Sequence, residues 1–527
     1  MNLSSFKARL LLIGFLFVIA LKFWLIWESE IRDATDDPHE YLLQILYPSN
    51  GGLSYPPGVG IVGGFFYGLG IPFRLALEAL FLTASALVLK ALIASPWKSG
   101  LSLGLFVFMV FDPAPNELFT HFFSDPPWLI ETMLGAACFV LAFRRETRLD
   151  WSAIILSVCF FGLSIITRSI IAPLLISVMV FALFGLAITL AKFRSPHLKR
   201  NLDYLALSVP TIIFGLCILY GGVCRYNYAR HGYSGLSYID SNEYKKFYVT
   251  LQSVGDPTGA PYFPIDQARR RLIAQAGPDS RWFVDQLDQN AFYKNVGVVH
   301  YGTYDIPAGW FHWATFTAAM DPAKGDYTTA FSLFKSVEDE IANASVHNHL
   351  KVRTVLPLPD SRLPIVAQML PSGFHHTLRL LLNEPPPDGF TPKDGQPQYV
   401  SPEFTKALNR RSVEASPLRE SIWRDLTLAY SWIYTKPLFY LYVITLAGFG
   451  LVVVLRWKRI DEFSPIFVAR QMFTILFLVL ILWYALFDAS GMPTLARYMM
   501  LNHLLLLPLI CSYVLESARL LRKELTS

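Results

Sequence analysis

Charge is scarce in this chain. Only 16% of its 527 residues are charged, against 53% hydrophobic, where a soluble protein of this length carries about 25% charged residues. That deficit excludes an ordinary soluble globule and is what a polytopic membrane protein shows. Cysteine is scarce too: Cys138, Cys159, Cys217, Cys224 and Cys511 all lie in or beside apolar runs. None falls in the long polar stretch between Arg225 and Asp425, so that stretch needs no disulfides. There is no C-x-x-C spacing to hold a metal. No internal repeat is visible. No small-x-small cleavage site follows the first apolar run, so an uncleaved anchor is expected and not a removed signal peptide. The formal charge is only +5. Its basic residues end or begin apolar runs and do not gather on one folded face, which speaks against nucleic acid as a partner.

What is present is a series of apolar runs. They cover 10–27, 75–95, 99–112, 127–143, 152–167, 170–191, 204–223, 432–455, 466–487 and 498–515. A helix of about 20 residues crosses a bilayer core of about 30 Å. The shorter runs are expected to be tilted or partly interfacial. Basic clusters flank them at Lys7 and Arg9, at Arg144, Arg145 and Arg148, and at Lys192, Arg194, Lys199 and Arg200. Others stand at Arg456, Lys458 and Arg459, and at Arg519, Arg522 and Lys523. Cytoplasmic loops carry such an excess. A crossing at 58–73 would put the Arg144 cluster outside, so that segment is assigned to the outer leaflet. Tyr55-Pro56-Pro57-Gly58 and the glycines at 60, 63, 64, 68 and 70 predict a poor regular helix there.

The expectation is therefore an all-α polytopic membrane protein with about ten transmembrane helices and a juxtamembrane segment. It would sit in the inner (plasma) membrane, multi-pass, with both termini cytoplasmic. Residues 1–223 form an N-terminal bundle with outward loops, 224–431 a mainly helical extracytoplasmic domain, and 432–527 the C-terminal transmembrane helices. Within the outward domain, 265–275 and 329–344 read as helices, with Pro-rich breaks near 357–364 and 385–387.

Chemistry is expected in the outward loops. Asp36 and Asp37 follow the first run. Either could act as a general base toward an acceptor hydroxyl, or hold a divalent cation against a phosphate. As a structural alternative, Asp37 before Pro38 makes a good helix start. Asp125 stands at the outer mouth of a later run, before two prolines, with Glu131 deeper and His121 nearby. Arg168 interrupts an apolar stretch where the chain should turn at the outer surface. A guanidinium there either snorkels or faces an anion, and phosphate is its natural partner. Arg497 and Tyr498 repeat that theme before the last run. The aromatic clusters around Tyr226, Tyr238 and Trp310–Trp313 read as core or interface belt.

Taken in order and spacing, these residues resemble the GT-C class of membrane glycosyltransferases. The resemblance covers mainly residues 10–200, and the last spans more loosely. Asp36 or Asp37 matches the acid after the first span, and Tyr55-Pro56-Pro57 the juxtamembrane segment. Asp125 matches the acid of the second outward loop, Arg168 the base beyond the fifth span, and Arg497-Tyr498 the chain's basic-aromatic end. Two features depart from the pattern. No lysine directly precedes the juxtamembrane proline, and no Trp-Trp-Asp motif stands in the long domain. The stretch Gly309–Ala314, with Tyr327 and Glu338–Glu340, is also similar to uncharacterised bacterial multispanning proteins.

What the resemblance implies is sugar transfer from a polyprenyl-phosphate donor to a glycan, lipid or protein acceptor in the cell envelope. Asp36, Asp37 and Asp125 would be catalytic and could hold Mg or Mn. Arg168, Arg497, Tyr498, His121 and Tyr55 would bind substrate. The alternatives are a non-catalytic membrane scaffold, or a lipid or glycan transporter. A transporter would show paired broken helices and repeat symmetry, and neither is visible.

Overall fold

The computed structural model describes residues 3–27, 31, 41–42, 44–45, 55–93, 99–120, 122–143, 149–191, 198–256, 263, 265–320, 323, 326–347, 349–352, 370–375, 377, 416–433, 436–455, 465–489 and 499–525. Among them, regular structure is helical, with one isolated antiparallel bridge between Val254 and Val352. The described part of each apolar run is mainly helical, the run 432–455 being covered by parts of two helices. Among the described residues, five stretches are long and apolar enough to cross a membrane: Ala8–Ile26, Phe73–Leu92, Asp203–His231, Ala469–Leu486 and Met500–Ala518. The chain is an integral, multi-pass helical membrane protein.

Two compact units form. The first comprises Met1–Tyr220, Arg379–Ile481 and Leu495–Ser527; the second comprises Gly221–Leu378 and Leu482–Thr494. The segment 224–431 is thus shared out, since Pro417–Ile433 groups with the first unit.

In the first unit the helices are α1 (Leu3–Ile26), α2 (Gly58–Gly68), α3 (Phe73–Leu92), α4 (Gly100–Val110), α5 (Pro113–Leu118), α6 (Asp125–Leu141), α7 (Trp151–Thr167) and α8 (Ile171–Ala191). The helix α9 (Leu198–His231) then carries the chain onward. The centre is α6, buried from Asp125 to Val140. It packs on α7 and α3. Close approach to α7 follows from a small residue: a Cβ on Gly135 would stand 2.6 Å from the Phe161 ring. Small interface residues serve membrane helices in this way, because backbones approach and polar groups bond across. Here Ser157 donates to the Gly135 carbonyl at 2.9 Å, and the Thr132 and Ser164 hydroxyls meet at 2.7 Å. In contrast, α1 leaves Leu10, Leu12, Ile13, Leu16 and Phe17 exposed, as a lipid-facing helix would.

The second unit holds α10 (Asn242–Ser253), α11 (Gln267–Ile273), α12 (Pro278–Gln289), α13 (Ala291–Tyr301), α14 (Ala308–Met320) and α15 (Tyr327–Val346). Its core is aromatic: Tyr238, Tyr244, Phe247, Phe283, Phe311 and Phe334 are buried together. Each buried Phe contributes roughly 1.5–3 kcal/mol. Local polar groups fix the helix ends. The Glu340 carboxylate accepts from the Asp279 and Ser280 amides at 3.0 and 2.7 Å, covering the N-terminus of α12. Gly302 ends α13 at φ 69°, a left-handed value that glycine adopts without a Cβ penalty. His312 lies against this core, its Nδ1 2.9 Å from the Tyr244 hydroxyl. Burial lowers its pKa from 6.5 to about 4.

The chain closes in the first unit with α16 (Pro417–Ile433), α17 (Lys436–Leu455) and α19 (Met500–Leu525), while α18 (Pro465–Ala489) begins there. The pair α17 and α19 packs together, and α19 reaches α3, α4 and α6. Buried Arg470 joins Ser512 at 2.6 Å and Glu516 at 3.1 Å.

One expectation is corrected. Residues 58–68 form a regular α-helix, although their Gly and Pro content predicts a poor one. The prolines fall before the helix, where a missing N–H costs nothing, and glycines supply close packing. A Cβ on Gly60 would stand 2.6 Å from Gln44, and one on Gly63 2.3 Å from Ile45. The helix reaches about 16 Å at 1.5 Å per residue, short of a bilayer core.

Candidate active site at the ends of α6 and α7

Four separate segments meet in the first unit. The first is the buried stretch Tyr41, Leu42, Gln44 and Ile45. The second is Tyr55 to Gly58. The Tyr41 and Tyr55 rings lie 4.7 Å apart, and the Gln44 amide donates to the Tyr55 carbonyl at 3.0 Å. The third is the approach to α6, where Phe122 meets Tyr41 edge-on at 6.2 Å. The fourth is the end of α7. There a Cβ on Gly58 would stand 2.4 Å from the Thr167 backbone. Only glycine permits so close an approach between the start of α2 and the end of α7.

Arg168 and Asp125 form an ion pair at this junction, with side chains 16% and 4% exposed. Asp125 is the first residue of α6, and the preceding Ser124 occupies the cap position without a side-chain bond. The Asp125 carboxylate accepts from Arg168 at the first turn of its own helix. Arg168 follows α7 in extended backbone, φ −146° and ψ 124°, which turns its side chain off the helix. Its guanidinium carbon lies 5.6 Å from the Trp128 ring centre.

Beneath the pair, Trp128 and Glu131 continue the α6 stripe at spacings of three residues. Glu131 is 4% exposed. Neither of its carboxyl oxygens has a hydrogen-bond partner among the described residues, and the same holds for Thr167 Oγ1 and Trp128 Nε1. Thr167 is the polar side chain beside Glu131.

A second buried charge cluster was not recognised from sequence. Glu78 accepts from Arg74 at 2.6 Å and lies 3.5 Å from Lys22. Arg74 also donates to Asn116 at 2.7 Å. Lys22 lies 4.6 Å from the Trp423 ring centre, and His503 lies 3.1 Å from the buried Asp112. The signal was present in Lys22, alone in the first apolar run, and in Arg74 and Glu78, one helical turn apart at the start of the next.

Of the residues expected at the site, Asp125 and Arg168 are paired, and Tyr55 packs on Tyr41 and Gln44. Asp36, Asp37, His121, Arg497 and Tyr498 lie outside the described residues. Among the described residues, no group of three or more His, Cys, Asp or Glu could hold a metal ion. The assignment of Mg or Mn to Asp36, Asp37 and Asp125 rests on two residues beyond them.

Comparison with known proteins places the chain at a distance. No family model and no curated protein matches it. Two similar solved structures are crystal structures of ArnT from Cupriavidus metallidurans. The apo state has 13% identity and a TM-score of 0.32, over 91% of this chain and 77% of that one. The structure bound to undecaprenyl phosphate has 12% identity and a TM-score of 0.34, over the same shares, 91% and 77%. At such TM-scores the likeness carries no argument, and the functional reading rests on the site.

Proposed function

We propose that this chain is a membrane glycosyltransferase that moves a sugar from a polyprenyl-phosphate donor to an acceptor at the outer membrane face. The observation that supports this is the pair of buried Asp125 and half-buried Arg168. It joins an acid and a guanidinium where two membrane helices end, beside an aromatic-rich juxtamembrane helix. Arg168 would take the donor phosphate, for which a guanidinium fork is suited. As it turns to the phosphate, Asp125 is released to accept a proton or bind a cation. Asp36 or Asp37 would remove the proton of the acceptor hydroxyl. The acceptor oxygen then bonds to the sugar C1, the C1–O bond to phosphate breaks, and Arg168 stabilises the departing phosphate. A divalent cation on the acids would serve the same charge. Arg497, Tyr498, His121 and Tyr55 would complete the substrate contacts.

The test is complementation of a deletion strain, reading envelope glycans and lipids by mass spectrometry. Wild type should restore a glycosylated product, while Asp125→Asn and Arg168→Ala, expressed at equal levels, should not. Full restoration by both variants would remove this reading.

A further inference from the structure

We infer that Glu131 is the specificity-determining residue of this site, taking a hydroxyl of a sugar-bearing headgroup whose phosphate sits on Arg168. The inference rests on the reading of the site as one for polyprenyl-phosphate sugars.

The argument begins with how this protein treats its other buried acids. Among the described residues, Glu78 is paired with Arg74 and Lys22, Asp112 with His503, and Asp125 with Arg168. Glu338 is paired with Lys246, and Glu516 with Arg470. Glu131, 4% exposed, has no cation among the described residues, and Thr167 is the polar side chain beside it. An acid kept for structure would be paired like the rest, because a buried unpaired carboxyl is costly.

Position gives the ligand class. Asp125, Trp128 and Glu131 follow one another at three-residue steps along α6, each turned about 60° from the last, with Arg168 against the first two and Thr167 beside the third. Glu131 is six residues below Asp125, about 9 Å along the axis and about 120° around it, so a ligand reaching both would run from the Arg168 end of α6 round to Thr167. Trp128 stands between them, and an aromatic face with a polar N–H suits a sugar ring. The Thr167 hydroxyl and Trp128 Nε1 add hydrogen-bonding groups nearby. A carboxyl accepts one hydroxyl or bridges two, and a site built to bond a hydroxyl rejects ligands that lack it.

The test uses the full chain in nanodiscs and competition against tritiated decaprenyl phosphate. Competitors are decaprenyl phosphate and its mannosyl, glucosyl and arabinosyl derivatives. Wild type should prefer at least one sugar-bearing lipid over the bare phosphate by about tenfold or more. Glu131→Leu should erase that preference while keeping the affinity for bare decaprenyl phosphate, which also certifies folding. Glu131→Gln, still able to hydrogen-bond, should retain part of it. A preference unchanged in Glu131→Leu, or no preference in wild type, overturns the inference alone. Failure of wild type to bind decaprenyl phosphate at all overturns the proposed function and this inference with it.

Discussion

The Arg168 guanidinium reaches the Asp125 carboxylate across 43 residues of chain. The contact ties the end of α7 to the start of α6, the two helices that pack most intimately through Gly135 and Phe161. Removing Arg168 leaves a buried carboxylate without this cation, and removing Asp125 leaves a half-buried guanidinium without this carboxylate. Asp125→Asn and Arg168→Gln should each lower thermal stability in detergent. Together they should cost less than their sum, with a coupling of about 1–3 kcal/mol. Strictly additive losses in a double-mutant cycle would show that the pair contributes no direct interaction.

The Lys22–Glu78–Arg74 cluster makes a graded prediction. Glu78→Ala leaves two cations buried without their carboxylate and should destabilise by about 3–5 kcal/mol. Lys22→Met should cost far less, because Arg74 still holds Glu78 at 2.6 Å and the long apolar side chain fills the space. Equal melting temperatures for the two variants would contradict this division of roles.

His312 predicts an acid-sensitive second unit. Burial lowers its pKa from 6.5 to about 4, so the folded state favours the neutral ring. The unfolded chain therefore binds the extra proton between those values. The stabilisation is fully present above pH 6.5 and is lost as pH falls toward 4, up to about 3 kcal/mol in all. Denaturation followed by the signal of a fluorophore placed in the second unit should weaken over that window. His312→Gln should flatten the slope. An identical pH slope in the variant would reject His312 as its source.

The helices were legible from the sequence because length and hydropathy suffice for them, and the described part of each apolar run from 10–27 to 498–515 is mainly helical. In the second unit, 265–275 and 329–344 became Gln267–Ile273 and Tyr327–Val346. The helix at Gly58–Gly68 was misread because propensity describes an isolated chain. There, packing against Gln44, Ile45 and Thr167 rewards the missing Cβ. Short α5, Pro113–Leu118, was read as loop. Asp125 and Arg168 stood out as charges at run ends, but their pairing needs the α6–α7 contact, which no local pattern encodes. Glu131 was visible as an acid in an apolar run. Its lack of a cation could be known only from the packed structure.

The central claim is that Arg168 holds the donor phosphate. A cryo-EM structure of the full chain in nanodiscs with decaprenyl phosphate tests it most directly. The account predicts phosphate density within about 3 Å of the Arg168 guanidinium, with the Asp125 carboxylate drawn away from it. Phosphate bound elsewhere on the bundle, with the Asp125–Arg168 pair intact, would contradict it.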